Sequence, residues 1–396
     1  MPTSPPTILC LASFHKGHDF LRQCRKEGCR VVLLTSKSLE QAEWPTESID
    51  QIFYIPDVDK EWKMDDVIYG VSYMARTEAI DCIVALDDYD VEKAAALREH
   101  LRIPGMGDTT ARYFRDKLAM RTKAAEAGLA IPDFVHVLNY KKLVRFMDAF
   151  PPPYLLKPRF QAGAIGIRNI NKPDELWKSL DELGDKQSFY VLERFVPGEV
   201  FHVDSIVHDN RILFAVVSQY GKPPMEVAHE GRVFSSRTIL RGSPDEVELQ
   251  RENRAVLNAM GMKQGVSHTE FIKQSDNGQF VFLETSARVG GAHIVDLVEA
   301  ATGLNLWTEW AKIEVRPGYT LTEHRDDYAG LLISLAKQEW PDLSGYNDPE
   351  VVWKLQKKNH AGLIVRSPRY ERVEELLKDY TERFYRDFFA TQPLPK

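Results

Sequence analysis

Continuous apolar runs and amphipathic segments alternate along the first hundred residues. The apolar runs predict buried strands, and the amphipathic segments predict helices with one apolar face. The strands are predicted at residues 7–13, 30–35, 52–55 and 80–86, and the helices at 18–26 and 91–101. Strands that are apolar on both faces and alternate with helices are typical of a parallel sheet covered on both sides. The pattern therefore predicts a doubly wound α/β domain of about 100 residues.

Helix ends and loops refine this picture. Asp90 precedes the helix at 91–101, where its carboxylate can accept an unpaired backbone N–H as an N-cap. The first strand is followed by Phe14-His15-Lys16-Gly17-His18 and not by a G-x-G-x-x-G loop, so we expect no dinucleotide in this domain. A further helix is predicted over residues 109–127, ended by Gly128.

The pattern changes after the proline run at residues 151–153. From Tyr154 onward, strands joined by hairpins prevail, which is an α+β arrangement. The segment at 368–389 is amphipathic and carries charges of both signs. Such a helix is expected to pack on the fold or against another subunit and not to bind a membrane.

Composition excludes several classes of protein. The 396 residues include 43% hydrophobic side chains, enough for a large core, and the length suggests roughly two to three domains. The net charge of -7 argues against broad nucleic-acid binding, which needs a basic surface. The chain has no apolar run near the ~20 residues of a membrane span and no signal-like start. Its four cysteines form no CxxC pair, so we expect free thiols and a cytoplasmic protein.

Three segments carry residues suited to chemistry. In the first, an apolar strand delivers Lys157, and a small-residue loop with Gly163 and Gly166 follows. Small residues let backbone N–H groups approach phosphates, and a nearby lysine neutralises their charge. The alternative is that this loop is a simple turn.

In the second segment, polar and apolar residues alternate over residues 199–206, as in a half-buried strand. Two interpretations stay open for Glu199 and Asp204: they contact ribose or a metal, or they are solvated.

The third segment is a hairpin around Asp276-Asn277-Gly278. A two-residue loop would place Glu270 and Glu284 on opposite faces. A three-residue loop with Gly278 left-handed would pair Glu270 with Glu284, and likewise His268 with Ser286. Facing carboxylates repel each other unless a cation lies between them, and hard oxygen ligands suggest Mg²⁺. The residues alone leave both registers open.

Arg288 continues the second strand of this hairpin by the period of two. A cation there can hold an anionic substrate or a phosphoryl group in transfer. Gly290, Gly291 and His293 follow at once, and His268 and His293 are candidates for the substrate side, or structural histidines. The segments 220–225 and 229–234 link the earlier strands to the hairpin, so we expect them near the substrate.

Together, in this order, these segments resemble the ATP-grasp superfamily over nearly the whole chain. The resemblance implies an N-terminal pre-ATP-grasp α/β domain, a lid subdomain and an antiparallel-sheet core. It places the boundaries at residues 1–106, 107–192, 193–318 and 319–396. The implied ATP-binding residues are the two phosphate lysines, the glycine loop, the hinge that reads adenine and the ribose acid: Lys117, Lys157, Gly163, Gly166, Glu193, Arg194, Phe195, Val196 and Glu199.

The same resemblance assigns the reacting end of the site. It implies metal ligands at Glu270, Glu284 and Ser286, with Mg²⁺ as the ion and Mn²⁺ as an alternative. It makes Arg288 and Lys157 catalytic, and we place substrate contacts at His268, Arg288, Gly290, Gly291 and His293. Two departures stand out. Ser286 replaces the usual asparagine, a longer ligand, and Ala164 stands where a serine is common, which leaves backbone contacts to phosphate there.

Within the superfamily, the segments at 265–270 and 284–291 look most like carboxylate–amine ligases of the amino-acid ligase type. This implies that ATP phosphorylates a carboxylate and that an amine then displaces phosphate from the acyl phosphate. The expected partners are small carboxylate and amine substrates, with a homodimer as a common assembly in the family. One alternative is a carboxylating or other acyl-phosphate ligase. Another is an ATP-binding protein that has lost catalysis, which is suggested by Ser286 in place of the usual asparagine ligand.

Overall fold

A computed structural model of the chain describes residues 5–230, 232–316, 318–321 and 323–391, without the side chains of residues 228–230. Among these residues no helix is long and apolar enough to span a membrane. The described part divides into an N-terminal parallel sheet, a small antiparallel sheet and a long antiparallel sheet. This mixed architecture confirms the predicted α/β and α+β class.

The N-terminal unit is a doubly wound α/β layer. Its elements are β1 (Thr7–Ala12), α1 (His18–Lys26), β2 (Arg30–Ser36), β3 (Gln51–Ile55), β4 (Asp57–Val58), β5 (Glu61–Trp62), α2 (Met64–Met74), β6 (Cys82–Ala85) and α3 (Val91–Leu101). The sheet order is β3-β2-β1-β6, and all of its pairs are parallel. Alternate residues of β1 pack into separate apolar clusters, with Ile8 on one side and Leu9 on the other. The continuous apolar runs arise because helices cover both faces.

Asp90 occupies the predicted N-cap position of α3, but its carboxylate does not cap the helix. Its carboxylate accepts hydrogen bonds from the backbone N–H of Ser13, at 2.8 Å, and from the Ser13 hydroxyl, at 3.1 Å. The carboxylate of Asp87 caps the preceding turn instead, accepting from Tyr89 N at 2.9 Å. Asp90 is drawn inward because parallel pairing of β1 with β6 brings the ends of the two strands together.

The single helix predicted at 109–127 is also wrong, because the chain breaks into α4 (Asp108–Tyr113) and α5 (Lys117–Glu126). Asp116 stands at the break, where its carboxylate accepts from Leu118 N at 3.0 Å and forms an ion pair with Arg159. An N-cap aspartate starts a new helix wherever it satisfies the first free N–H groups. The break puts Lys117 at the first turn of α5.

The small antiparallel sheet follows. Its elements are β7 (Phe134–His136), α6 (Tyr140–Ala149), β8 (Tyr154–Pro158), β9 (Arg168–Ile170), α7 (Pro173–Leu183) and β10 (Tyr190–Arg194). The order is β7-β10-β8-β9, and α6 and α7 pack on it through Leu143, Leu176 and Leu180. The strand order carries Lys157 on β8 opposite β10, with the loop at residues 159–167 between β8 and β9.

The long antiparallel sheet has the order β15-β14-β11-β12-β13-β16-β18-β17. The elements of this part are β11 (Gly198–His208), β12 (Arg211–Tyr220), α8 (Pro224–Glu230), β13 (Phe234–Thr238), α9 (Pro244–Met260), β14 (Gly265–Gln274), β15 (Phe280–Ser286), α10 (Ile294–Thr302), α11 (Leu306–Val315), β16 (Tyr328–Leu335), β17 (Val351–Lys354), β18 (His360–Ser367) and α12 (Tyr370–Asp387).

Strand β11 is buried on both faces over residues 200–208, so the predicted half-buried strand is wrong. One face packs against α9, through Val203 and Leu249, and the other packs toward α11, through Ile206 and Trp310. Polar side chains on β11 are therefore core groups that need internal hydrogen bonds. Helix α12 packs on the sheet through Tyr380 and Phe384, in agreement with its predicted packing role. The bounds of the four domains remain predictions.

Candidate active site

A cavity of about 490 Å³ lies where the three sheets meet. This volume is typical of small-molecule sites. Asp88 after β6, Lys157 on β8 and Glu284 on β15 contribute to its wall, although they are far apart in the chain. The wall includes most of the predicted site residues: Lys117, Lys157, Gly163, Glu193, Arg194, Phe195, Val196, His268, Glu270, Glu284, Ser286, Arg288 and Gly291.

Among the described residues, the wall of this cavity does not include Gly166, Glu199, Gly290 or His293. Glu199 is exposed and lines a neighbouring cavity of about 1120 Å³ beside α12. His293 lies 2.9 Å from the Asp296 carboxylate through Nδ1, at the start of α10. These contacts give the ligand roles predicted for Glu199 and His293 no support, and those roles stay predictions.

Gly166 and Gly290 do not line the cavity, but each packs too closely against a neighbour to carry a side chain. A Cβ on Gly290 would lie 3.0 Å from Asp204 Oδ1 and 2.7 Å from a methyl carbon of Ile294. A Cβ on Gly166, which has φ +73°, would lie 3.0 Å from Pro158. Both positions therefore need glycine for close packing beside the site. The two segments predicted near the substrate, 220–225 and 229–234, line part of the cavity through Tyr220, Met225 and Phe234. Gly231 lies outside the described residues.

Lys157 is held by a buried carboxylate. Its Nζ lies 2.7 Å from Glu193 Oε2, and Arg121 Nε lies 2.9 Å from Glu193 Oε1. Burial alone would raise the pKa of Glu193, but the charges of Arg121 and Lys157 outweigh it and lower that pKa to about 2. The Glu193 side chain is thus committed to two cations. Its predicted part in reading adenine stays a prediction.

Lys117 reaches the opposite side of the cavity. Its Nζ lies 2.8 Å from Glu284 Oε2 and donates to the carbonyl of Gln161 at 2.8 Å. Gln161 belongs to the loop that carries Gly163, which has φ +65°. One ammonium group therefore contacts both the small-residue loop and a predicted metal acid. A phosphate chain bound here would meet cations from Lys117 and Lys157.

At the end away from its turn, the hairpin has the pairing expected from the three-residue loop. Glu270 lies opposite Glu284, and His268 lies opposite Ser286. Neither the two-residue nor the three-residue loop considered from the sequence occurs. Gln274 N donates to Gln279 O at 2.9 Å, so the loop runs over residues 275–278. The register shifts between Glu270 and Phe271. Leu283 is the extra residue of a bulge that restores the predicted register. Gly278 is left-handed at φ +71°, as expected.

Glu270 ends a buried hydrogen-bond network. Its carboxylate accepts from the Tyr220 hydroxyl at 2.9 Å and lies 3.5 Å from His268 Nε2. His268 Nδ1 lies 2.9 Å from Asp204 Oδ1, and Asp204 Oδ2 lies 2.7 Å from His202 Nδ1. Asp204 is fully buried, so neither the ribose contact nor the solvated carboxylate holds for it.

The electrostatics of this network follow from Asp204. Burial lowers the pKa of His268, but the carboxylates of Asp204 and Glu270 outweigh it and raise that pKa to about 9. His202, Asp204 and His268 place their ligand atoms within 4.8 Å of one another, close enough to hold a metal. Because those atoms already hydrogen-bond to one another, and His202 Nε2 to Ser236 at 2.7 Å, the cluster serves as internal support for Glu270.

Arg288 is anchored by a residue that the sequence analysis did not assign to the site. Its Nε lies 2.7 Å and its Nη2 2.5 Å from Asp88 Oδ2, and its Nη1 donates to Val289 O at 2.6 Å. Burial would raise the pKa of Asp88, but Arg288 and Arg115 lower it to about 2. One signal was available: Asp88 follows a parallel strand at its carboxyl end, the edge where ligands of such sheets bind.

The donor set fits Mg²⁺. Glu270 and Glu284 face each other in register and line the same cavity, with the Ser286 hydroxyl two residues along. Carboxylate and hydroxyl oxygens are the hard ligands that Mg²⁺ prefers. The Lys117 ammonium beside Glu284 already brings a positive charge to this position. The cation that the facing carboxylates were predicted to need is therefore chemically compatible with the residues present.

Comparisons with known proteins agree with this geometry. The sequence model of the ATP-grasp domain matches residues 150–296. The chain is 25% identical over 279 residues to the L-arginine-specific L-amino acid ligase of Bacillus subtilis, covering 69% of this chain and 66% of that protein. It is 24% identical over 335 residues to the carbamoyl phosphate synthase large chain of Pasteurella multocida, covering 81% of this chain and 30% of that protein.

The fold is similar to that of the L-amino acid ligase from Bacillus licheniformis. That crystal structure superposes with a TM-score of 0.72 at 18% sequence identity, covering 99% of this chain and 100% of that chain. The predicted similarity to amino-acid ligases is therefore confirmed in both sequence and fold. We conclude that the chain carries an ATP-grasp domain and has the ATP-grasp fold, as its motifs predicted.

Proposed function

We propose that the protein is an ATP-dependent carboxylate–amine ligase that joins amino-acid substrates and releases ADP and phosphate. One observation carries the proposal: Lys117, a predicted phosphate lysine, lies 2.8 Å from Glu284, a predicted metal acid, in one cavity with Lys157 and Arg288. This arrangement suits a phosphoryl group surrounded by positive charge. Similarity to amino-acid ligases supports the substrate class and does not favour the carboxylating or inactive alternatives.

The proposed reaction has two steps. In the first, a carboxylate oxygen of one substrate forms a bond to the γ-phosphorus of ATP as the bond from that phosphorus to the bridging oxygen breaks and ADP leaves. In the second, the neutral amine of the other substrate attacks the acyl carbon. The carbon–oxygen bond to phosphate breaks, the nitrogen loses a proton, and an amide remains.

Each side chain has a charge-stabilising or positioning task in this scheme. Lys117 and Lys157 bind phosphate oxygens, and the small-residue loop offers backbone N–H groups to the same oxygens. Arg288 holds the carboxylate substrate and the phosphoryl group in transfer, and the hinge at residues 193–196 borders the adenine. Glu270, Glu284 and Ser286 would hold Mg²⁺. When bound, Mg²⁺ supplies charge neutralisation to the phosphates, and Mn²⁺ is an alternative ion.

The test is ADP release with purified protein, ATP, Mg²⁺ and a panel of amino-acid pairs, with the coupled product identified by mass spectrometry. We expect amino-acid-dependent turnover and a dipeptide or other amide. The matched control is Glu284→Gln, which keeps the size of the side chain and removes its charge. Absence of turnover with every pair would contradict the proposal, and ADP release that depends on bicarbonate would favour a carboxylating ligase.

Four further expectations accompany this function. Cytoplasmic location follows from the free cysteines, which the structure keeps buried or half-buried. Mg²⁺ as the resident ion, small carboxylate and amine substrates and a homodimeric assembly follow from the family resemblance. Metal-dependence assays and light scattering of the purified protein test the ion and the assembly.

A further inference from the structure

We propose that Asp88 is a positioning residue that holds the Arg288 guanidinium in its working orientation, so that the N-terminal α/β unit completes the site. The inference rests on the proposed function, because it assigns Arg288 to the reacting groups. Asp88 and Arg288 are 200 positions apart in the chain, and both line the cavity.

The contact geometry restrains the guanidinium on two edges. Asp88 Oδ2 accepts from Nε at 2.7 Å and lies 2.5 Å from Nη2, while Nη1 donates to the carbonyl of Val289 at 2.6 Å. A guanidinium is planar, and contacts along two edges fix both its tilt and its rotation. Its remaining N–H donors are left for an anion in the cavity.

The burial of Asp88 supports this role. Its side chain is 5% exposed, and Oδ1 has no hydrogen-bond partner among the described residues. A buried carboxylate oxygen without a partner is unfavourable for folding. The favourable interactions of this carboxylate are concentrated on Arg288, with the charges of Arg115 and Lys16 nearby. The burial of the Asp88 carboxylate is therefore better explained by its effect on the orientation of Arg288 than by a contribution to the stability of the fold.

The adjacent Asp87 provides a matched control. It is as buried as Asp88, at 4% exposure for each residue, and it also carries a carboxylate that forms an ion pair, with Lys16. Its other oxygen caps Tyr89 N. Among the described residues Asp87 is not part of the cavity wall, and it makes no hydrogen bond to Arg288. Asp87→Asn therefore removes a buried charge at the same turn that acts on Arg288 only through space, and it leaves the Asp88–Arg288 hydrogen bond in place.

The experiment compares Asp88→Asn with Asp87→Asn by two measurements. The first is the NMR signal of the Arg288 Nε–H group, assigned by its loss in Arg288→Lys. We expect this signal to shift strongly in Asp88→Asn, which alters the hydrogen bond, and much less in Asp87→Asn, whose charge acts on Arg288 only through space. The second is amino-acid-dependent ADP release. We expect kcat to fall about tenfold or more in Asp88→Asn, as for partners that orient a working side chain. The KM for ATP should change little, and Asp88→Glu should recover part of the loss.

A double variant separates positioning from general damage. Adding Asp88→Asn to Arg288→Lys should cause no further fall in kcat, because the group that Asp88 orients is already gone. Independent losses in the double variant, an unmoved Arg288 signal, or equal kcat in the two aspartate variants would each overturn the proposal. Absence of amino-acid turnover in the unmodified protein would instead contradict the proposed function, so the two failures are distinguishable.

Discussion

The Lys117 ammonium lies 2.8 Å from the Glu284 carboxylate, and it joins the first turn of α5 to the hairpin strand β15. Glu284 in turn faces Glu270 across the hairpin. A carboxylate paired with an ammonium group repels a facing carboxylate less than a free one does. The ion pair therefore makes the facing acids tolerable in this structure, and it links a predicted phosphate-binding side chain to a predicted metal ligand.

Glu284→Gln should abolish the metal dependence of nucleotide binding. We expect ADP affinity without metal to stay similar, because the amide oxygen introduced by the substitution can still accept a hydrogen bond from Lys117. Added Mg²⁺ should tighten ADP binding to the unmodified protein but not to the variant, and turnover should fall on the order of 10²-fold or more. Isothermal titration with and without Mg²⁺ measures the first effect. Equal Mg²⁺ enhancement in both proteins would remove Glu284 from the metal site.

Glu193→Gln should destabilise the protein, because Arg121 and Lys157 would lose their shared buried carboxylate. Removing one partner of a buried ion pair costs about 3–5 kcal/mol. Urea denaturation measures the change in unfolding free energy. Glu199→Gln is the control, since Glu199 is exposed and its substitution should stay within about 0.5 kcal/mol. Similar values for the two variants would show that the Glu193 pairs contribute little to stability.

Asp90→Asn should stabilise the protein above pH 6. Burial raises the pKa of Asp90 from 3.8 to about 6, with partial compensation by Lys93. The folded state therefore holds a proton that the unfolded state has lost, and stability falls as pH rises from 3.8 to about 6. Asparagine keeps the oxygen that accepts from Ser13 and carries no charge.

The expected gain for Asp90→Asn at pH 8 is up to about 3 kcal/mol, and it should shrink toward zero as the pH falls well below 3.8, where the carboxyl is protonated in both states. Urea titrations of both proteins at several pH values measure it. A stability difference that does not change with pH would show that Asp90 has an ordinary pKa in the folded protein.

Gly290→Ala should be costly and Gly291→Ala tolerated. An added Cβ at position 290 would lie 2.7 Å from Ile294 and 3.0 Å from Asp204, whereas at position 291 nothing in the described part of the chain lies within 4 Å. Overpacking of this kind typically costs about 1–3 kcal/mol. Thermal unfolding of the two variants tests the difference. Equal melting temperatures would show that the network around Asp204 can shift without loss.

Much of the site was predictable because its residues are close together along strands. Period-two alternation relates Glu284, Ser286 and Arg288, and the hairpin turn brings Glu270 opposite Glu284. Neither loop length considered from the sequence occurs, yet the pairing expected from the three-residue loop is found, because the bulge at Leu283 offsets the longer loop. Local spacing cannot reveal a bulge, because the pattern of polar and apolar residues does not show which residue is left unpaired.

Asp88, Arg121 and Asp204 show where local patterns stop being informative. Each is a charged residue whose local pattern has an ordinary explanation: a helix cap for Asp88, a solvated helix face for Arg121 and a half-buried strand for Asp204. Their partners are Arg288, Glu193 and the histidines at 202 and 268. A buried charge is favourable only with a partner, and these pairs come from different elements, or from one fully buried strand.

The periodicity of the chain was enough to predict the parallel N-terminal sheet, and the family resemblance of its motifs was enough to predict the ATP-grasp fold. Periodicity works within one strand, helix or hairpin, where backbone geometry dictates which side chains meet. The tertiary structure decided which carboxylate serves which cation: Asp88 orients toward Arg288, Glu193 holds Lys157, and Asp204 supports His268. That choice is made by burial, because water is excluded only when distant segments pack together and every enclosed charge must then find its partner.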